Sequence, residues 1–138
     1  MPQHWLFKTE PADYSYDDLE RDGKTVWSGV HSSLALKYMR EMRMGDHILI
    51  YHTGAEKAII GLAEAVSDPF PDPDSPGGID EKSLVITIKP KRRFNSRVTL
   101  AQIKHREELQ DFDLVRLPRL SVVPVSNSHW DLILDMLR

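Results

Sequence analysis

The stretch His4-Trp5-Leu6-Phe7-Lys8-Thr9-Glu10-Pro11 decides how the fold begins. Its apolar run, residues 4–8, is typical of a β-strand, and Pro11 ends the strand because proline has no N–H to give to a sheet. Lys8, Thr9 and Glu10 therefore lie at the strand end, where polar side chains of short reach are well placed to line a pocket mouth. A surface strand that simply ends in a turn is the alternative interpretation.

Further strands follow along the chain, mostly separated by loops and not by crossover helices. They are predicted at residues 25–27, 47–52, 59–66, 83–88 and 119–125. Short helices are predicted after Ser15 up to Gly23, over 34–42, from a Thr99 cap through Ile103, and after Ser126 or Asn127. The proline-rich, acidic stretch 68–82 is predicted to be a loop. This order predicts an α+β fold: a mixed, mostly antiparallel β-barrel with short helices on its rim.

The composition excludes several classes of protein. A length of 138 residues fits one domain, 1–138, and the absence of cysteine excludes disulfides, thiolate metal sites and cysteine nucleophiles. No apolar run is long enough for a membrane span, and the N-terminus does not resemble a signal peptide, so a cytoplasmic location is expected. There is no glycine-rich phosphate loop, and the histidines are scattered, so we expect neither a cofactor nor a metal.

The formal net charge of −3 hides a strongly basic segment. Residues 89–106 contain seven lysines and arginines and no acid, which leaves −10 for the rest of the chain. Such a segment can contact phosphates and gain affinity by counterion release. The candidate phosphate contacts are Lys91, Arg92, Arg93 and Arg97. A solvated basic hairpin is the alternative.

Val26-Trp27-Ser28-Gly29-Val30 is the second unusual stretch. An indole followed by Ser-Gly offers a flat wall and lets backbone N–H groups approach a ligand, which is how nucleobases are often held. The alternative is a core tryptophan beside a turn glycine.

Several motifs together resemble the EVE domain family. Residues 4–11 resemble its opening Tyr-Trp-Leu-x-Lys-Ser-Glu-Pro motif, residues 27–30 its Trp-Asp-Gly-Val motif, and residues 119–125 its Arg-Leu-Ser-x-x-Pro strand. Gly45-Asp46, Tyr51-His52-Thr53 and the stretches 61–64 and 68–72 are similar to further family motifs, so the resemblance covers about residues 4–137.

The resemblance implies a PUA-like fold and a site. The implied pocket residues are Lys8, Thr9, Glu10, Trp27, Ser28, Gly29, Val30 and His31, with Tyr51 and His52 on a wall and Arg119 and Ser121 beside the mouth. Ser28 replaces the aspartate that the family commonly has, and His31-Ser32 replaces its usual Arg-Asn.

The function implied is a non-enzymatic reader of a modified nucleobase. EVE domains are similar to YTH readers of methylated adenine and SRA readers of methylated cytosine, so the expected partner is DNA or RNA with a flipped or single-stranded base. We expect a monomer. A hydrolase resembling ASCH amidohydrolases, using Lys8, Thr9 and Glu64 or Glu10, is the alternative, although successive strand residues point to opposite faces. A protein-interaction domain without a ligand is a third possibility.

Overall fold

The computed structural model of the chain describes residues 3–74 and 83–137. The strands in these ranges are β1 (His4–Thr9), β2 (Thr25–Trp27), β3 (His47–His52), β4 (Ala58–Ala65), β5 (Phe70–Pro71), β6 (Leu84–Thr99) and β7 (Val122–Val125). The helices are α1 (Tyr16–Asp22), α2 (Ser33–Glu41), α3 (Leu100–His105), α4 (Asp113–Arg116) and α5 (Asn127–Met136), with a 3₁₀ helix at Glu107–Leu109. Among the described residues, no helix is long and apolar enough to cross a membrane.

One curled sheet organises the fold. Its strand order is β2-β6-β4-β3-β1-β7, with β5 beside β6. Only the β1–β3 pair among these described strands is parallel. Helix α2 packs against β7 at one end of this order and against β6 near the other, so it covers the open side of the curl. The predicted mixed, mostly antiparallel α+β architecture with short helices is confirmed.

Side-chain caps start the helices where the sequence predicts them. Ser15 Oγ accepts from Asp18 N while the Asp18 carboxylate accepts from Ser15 N, and Thr99 forms the same reciprocal pair with Gln102. Ser126 accepts from the backbone of His129 at the start of α5. Each cap satisfies N–H groups that the first turn of a helix leaves unpaired.

A buried carboxylate fixes the strand that leads to the site. Asp46 is 2% exposed, and it accepts three hydrogen bonds of 2.9 Å, from Gln3 N, Trp5 Nε1 and Arg43 N. The Trp5 indole and the backbone before β1 are thereby tied to the turn that enters β3. Asp46 therefore holds β1 in register beside β3.

Three predicted segments differ from the structure, and two short helices were not predicted. The strand predicted at 83–88 continues as β6 to Thr99 and takes in most of the basic segment. The strand predicted at 119–125 begins at Val122, because a turn closed by Leu120 N to Leu117 O at 3.0 Å occupies the preceding residues. The predicted loop 68–82 contains β5, and its residues 75–82 lie outside the described ranges. Helix α4 and the 3₁₀ helix were not predicted, since both are too short to show periodicity.

The His4 ring lies in a stack of three rings. The His4 ring lies 4.2 Å from Trp130 and 5.8 Å from His47, and its Nδ1 is buried without a hydrogen-bond partner among the described residues. Burial, followed by the nearby His47, lowers the pKa of His4, while Asp131 and Asp46 oppose the change. The unfolded chain therefore binds more protons at this position than the folded chain does.

Stability from His4 is fully present above its unfolded pKa of about 6.5 and declines as the pH falls toward the lowered folded pKa. We expect the free energy of unfolding to fall more between pH 8 and pH 5.5 in the parent than in His4→Phe, which keeps a stacked ring but cannot titrate. Urea denaturation at both pH values measures the difference. Equal losses in the two proteins would contradict the assignment.

Candidate nucleobase site

A cavity of about 410 Å³ opens where β1 ends beside β2. Six of the predicted pocket residues line it: Lys8, Thr9, Glu10, Trp27, Ser28 and Gly29. Four further residues, Asp13, Tyr14, Thr25 and Val26, complete the lining. We call this space the base cavity. The two motifs that the sequence placed at a pocket, one at each strand end, thus meet at one place.

The polar residues of β1 are held by the turns around them. Thr9 Oγ1 donates to the Tyr14 carbonyl at 2.6 Å, which ties the strand end to the segment before α1. The Glu10 carboxylate accepts from Ala12 N at 3.3 Å and from Thr53 Oγ1 at 3.2 Å. Gly54 has a φ of +75°, which favours glycine, and a Cβ there would lie 2.7 Å from Glu10 Oε2 and push this carboxylate aside.

Trp27 forms an aromatic wall whose orientation is fixed by neighbouring rings. Its ring centroid lies 5.3 Å from Phe7 in a tilted arrangement and 6.1 Å from Tyr14 in an edge-to-face arrangement. Trp27 is only 8% exposed, so it presents a narrow part of its ring to the cavity. Such a wall is rigid, and a ligand that meets it finds a preorganised contact.

Lys8 lies between the base cavity and a second space. Its Nζ donates to the Pro118 carbonyl at 2.8 Å, and burial lowers the pKa of its ammonium. The same residue lines a neighbouring hollow of about 260 Å³ together with Tyr51. Tyr51 stands beside Lys8 in the β1–β3 register and faces this neighbouring hollow.

His52 has a structural role in place of the predicted wall position. It is 5% exposed, and its Nε2 accepts from Tyr16 N at 3.0 Å. The proton therefore resides on Nδ1, which donates to Glu56 Oε2 at 3.2 Å. With both ring nitrogens bonded, His52 fixes the start of α1 and lines neither space described above.

Four other predicted residues lie around the site without lining the base cavity. Val30 is buried in the core and His31 is exposed. The Ser121 carbonyl accepts a hydrogen bond from the backbone N–H of Lys8 at 3.1 Å. Arg119 lines a third, more apolar hollow of about 380 Å³.

Asp13 and Tyr14 were missed because they lie in the turn between strand and helix, where sequence gives no periodicity. Their position in the sequence is a clue that could have found them. The turn that directly follows a strand with site residues has to fold over the end of that strand. Val26 is 49% exposed although it is an apolar strand residue, and that exposure is a feature of the cavity rim.

Carboxylates from elsewhere in the chain neutralise most of the basic segment. Lys89 and Lys91 lie 3.5 and 3.6 Å from Glu64. Arg97 lies 3.4 Å from Glu56. Such exposed pairs add little to stability, but they cancel the local positive charge.

Arg93 and Arg92 also have partners. Arg93 pairs with Asp17 and Glu20 of α1, and its guanidinium lies 5.2 Å from the Tyr16 ring centroid. Arg92 lies 5.3 Å from the Phe94 ring centroid. Phosphate contact by the four candidate cations stays a prediction, and their present partners count against it. These cations are Lys91, Arg92, Arg93 and Arg97.

Comparison with known proteins places this geometry in a family. The model of the EVE domain matches residues 3–136. The chain belongs to the EVE domain family. The resemblance drawn from the strand-end motifs is therefore confirmed, and so is the PUA-like character of the fold.

This EVE domain has relatives along its whole length. Human thymocyte nuclear protein 1 is 26% identical over 99% of this chain and 74% of its own length. The NMR structure of Rpa0253 from Rhodopseudomonas palustris is 34% identical, covers 98% of this chain and 92% of its own, and has a TM-score of 0.90. The human THYN1 protein, solved in complex with DNA containing 5-methylcytosine, is 24% identical over 99% of this chain and 98% of its own, with a TM-score of 0.89.

A more distant likeness concerns the alternative function. An ASCH protein from Zymomonas mobilis covers 99% of this EVE domain and 99% of its own chain with a TM-score of 0.64, but the identity is 12%. That likeness shows a shared fold and nothing about chemistry. Among the described residues, no group of three or more histidines and carboxylates could hold a metal ion.

Proposed function

We propose that this EVE domain binds a modified cytosine base in nucleic acid, in the base cavity, and catalyses no reaction. The observation that carries the proposal is the lining of that cavity: a rigid indole wall faces a rim that holds two carboxylates, Glu10 and Asp13, and one ammonium, Lys8. Such a lining suits a flat, uncharged ring better than a phosphate. The human relative solved with 5-methylcytosine DNA supports the choice of ligand.

The carboxylates favour a base with an exocyclic amine. Glutamate and aspartate accept hydrogen bonds from the N4 amine of cytosine, whereas thymine and uracil present a carbonyl oxygen there. Asp13 is exposed, and its carboxylate makes no hydrogen bond with the described residues. Glu10 makes two bonds and retains capacity, since a carboxylate offers about four acceptor positions.

The geometry gives the hydrolase alternative no support. Lys8 and Thr9 both line the base cavity, but the Thr9 hydroxyl donates to the Tyr14 carbonyl and so faces no general base. Glu64, one of the two possible acids, is paired with Lys89 and Lys91 on the neighbouring strand. A threonine bonded in this way is not an activated nucleophile.

A panel of oligonucleotides that differ in one base tests the proposal. We expect the 5-methylcytosine strand to bind at least about tenfold more tightly than a strand with thymine at that position, because one well-placed base contact contributes about 1–3 kcal/mol. Thymine is the matched control, since it keeps the methyl group, while a carbonyl oxygen replaces the N4 amine and N3 becomes a donor. Fluorescence anisotropy with single-stranded DNA, duplex DNA and RNA versions gives the dissociation constants.

The unmodified cytosine strand shows whether the methyl group matters, and we expect it to bind more weakly than the 5-methylcytosine strand. Equal affinity for 5-methylcytosine, cytosine and thymine strands would contradict the proposal. The RNA arm tests the RNA partner predicted from the sequence. The cytoplasmic location and the monomeric state also stay predictions.

A further inference from the structure

Three adjoining hollows on one surface share their lining residues. The base cavity and the hollow of about 260 Å³, here called the side hollow, both include Lys8. The side hollow and the hollow of about 380 Å³, here called the outer hollow, both include Pro118. A strand of nucleic acid with one base in the base cavity can therefore extend over the other two.

The hollows differ in charge. Four cations line the side and outer hollows: Lys8, Lys57, Arg116 and Arg119. No carboxylate is among the described residues that line these two hollows, whereas two carboxylates line the base cavity. We call the four cations the cationic strip. The lining of the side and outer hollows is therefore more positively charged than that of the base cavity.

Two cations of the strip are free to bind a ligand. Lys57 and Arg119 are exposed, and neither makes an ion pair or a side-chain hydrogen bond with the residues of ranges 3–74 and 83–137. Arg116 is 57% exposed and has one partner, Asp113, at 3.5 Å. An exposed pair of this kind costs little to open.

The backbone holds Lys57 at its position. Its φ is +44°, in the left-handed region that residues with a side chain seldom adopt, and its carbonyl accepts from Leu100 N at 2.7 Å. The turn before β4 is therefore fixed to the start of α3. Strain of this kind is retained where the surrounding structure requires it, and it is common at binding sites.

We propose that the cationic strip, and not the basic segment of β6, holds the phosphates next to the base in the base cavity. The inference rests on the proposed function. Two sets of cations differ in their surroundings: those of β6 face carboxylates or an aromatic ring, and those of the strip surround hollows whose lining has no carboxylate. A phosphate contact adds most to the binding free energy where the cation does not first have to break an existing ion pair.

Two double variants of equal charge test the placement. Lys57→Ala with Arg119→Ala removes free cations of the strip, and Lys89→Ala with Lys91→Ala removes paired cations of β6. Both lower the net charge by two, so a general field effect is the same in each. The measurement is the dissociation constant for the 5-methylcytosine single strand at four salt concentrations, together with the melting temperature of each variant.

We expect the strip variant to reduce the slope of log affinity against log salt by about 1.4, because each lost phosphate contact on a single strand contributes about 0.7. We expect the β6 variant to keep the parent slope. Loss of slope in the β6 variant alone, or equal slopes in all three proteins, would overturn the placement. A parent that does not distinguish 5-methylcytosine from thymine would instead overturn the proposed function.

Discussion

Replacing Trp27 with alanine is expected to weaken binding of the 5-methylcytosine strand by about 10- to 100-fold, since stacking of one base on an aromatic side chain contributes about 1–3 kcal/mol. The loss has two sources. The wall of the base cavity disappears, and Tyr14, whose ring meets the Trp27 edge, loses its support. Anisotropy titration of parent and variant measures the change.

The control for this prediction is Trp27→Phe, which keeps an aromatic face and most of the packing on Phe7. We expect its affinity to lie between those of the parent and the alanine variant. Because Trp27 is a buried residue, the melting temperature of each variant must be measured, and binding compared well below it. Alanine and parent proteins of equal affinity would show that the indole is a core residue and not part of a ligand site.

Replacing Gly61 with alanine is expected to lower the free energy of unfolding by about 3 kcal/mol, at the upper end of the usual cost of overpacking a core. A Cβ at this position of β4 would lie 2.4 Å from Cζ and 2.5 Å from Cε2 of Tyr16. Tyr16 cannot move aside, because it is fully buried and its hydroxyl donates to the Leu62 carbonyl at 2.7 Å. Urea denaturation measures the loss.

A double-mutant cycle separates this clash from a general effect of alanine in a strand. Leucine at position 16 ends short of the ring atoms that the new Cβ would meet, so Gly61→Ala is expected to cost less than about 1 kcal/mol in a Tyr16→Leu background. If the cost is the same in both backgrounds, the Tyr16 ring is not its cause. The result matters for the site because Tyr16 opens α1, directly after the turn that lines the base cavity.

Local signals in the sequence predicted much of the fold. Ser15, Thr99 and Ser126 each cap a helix because the hydroxyl reaches N–H groups within three residues, and a pattern of that length is visible in sequence. The strand ends at Lys8 and Trp27 were likewise predicted from short stretches of sequence. The two halves of the base cavity were therefore recognisable before the structure.

The electrostatics of the site could not be predicted from the sequence. Residues 89–106 contain no acid, yet Arg93 meets Glu20 across 73 positions of chain and Arg97 meets Glu56 across 41. Pairing at such distances depends on how α1 and the turn before β4 lie against β6, which no short stretch of sequence encodes. Lys57 was missed because a single cation in a turn has no periodic signature. Arg119 was predicted as a residue beside the pocket mouth and not as a phosphate contact.

The position of β1 has a consequence for how the protein folds. This strand lies between β3 and β7, and Lys8 is bonded to Pro118, 110 positions further along the chain. Contacts of such separation slow folding, because a long loop must close before they form. During synthesis on the ribosome β1 can dock on β3 early, but its other edge stays open until the last part of the chain emerges. The side and outer hollows, which both include Pro118, are therefore among the last features to be completed, and a chain truncated before β7 would expose an unpaired strand edge that favours aggregation.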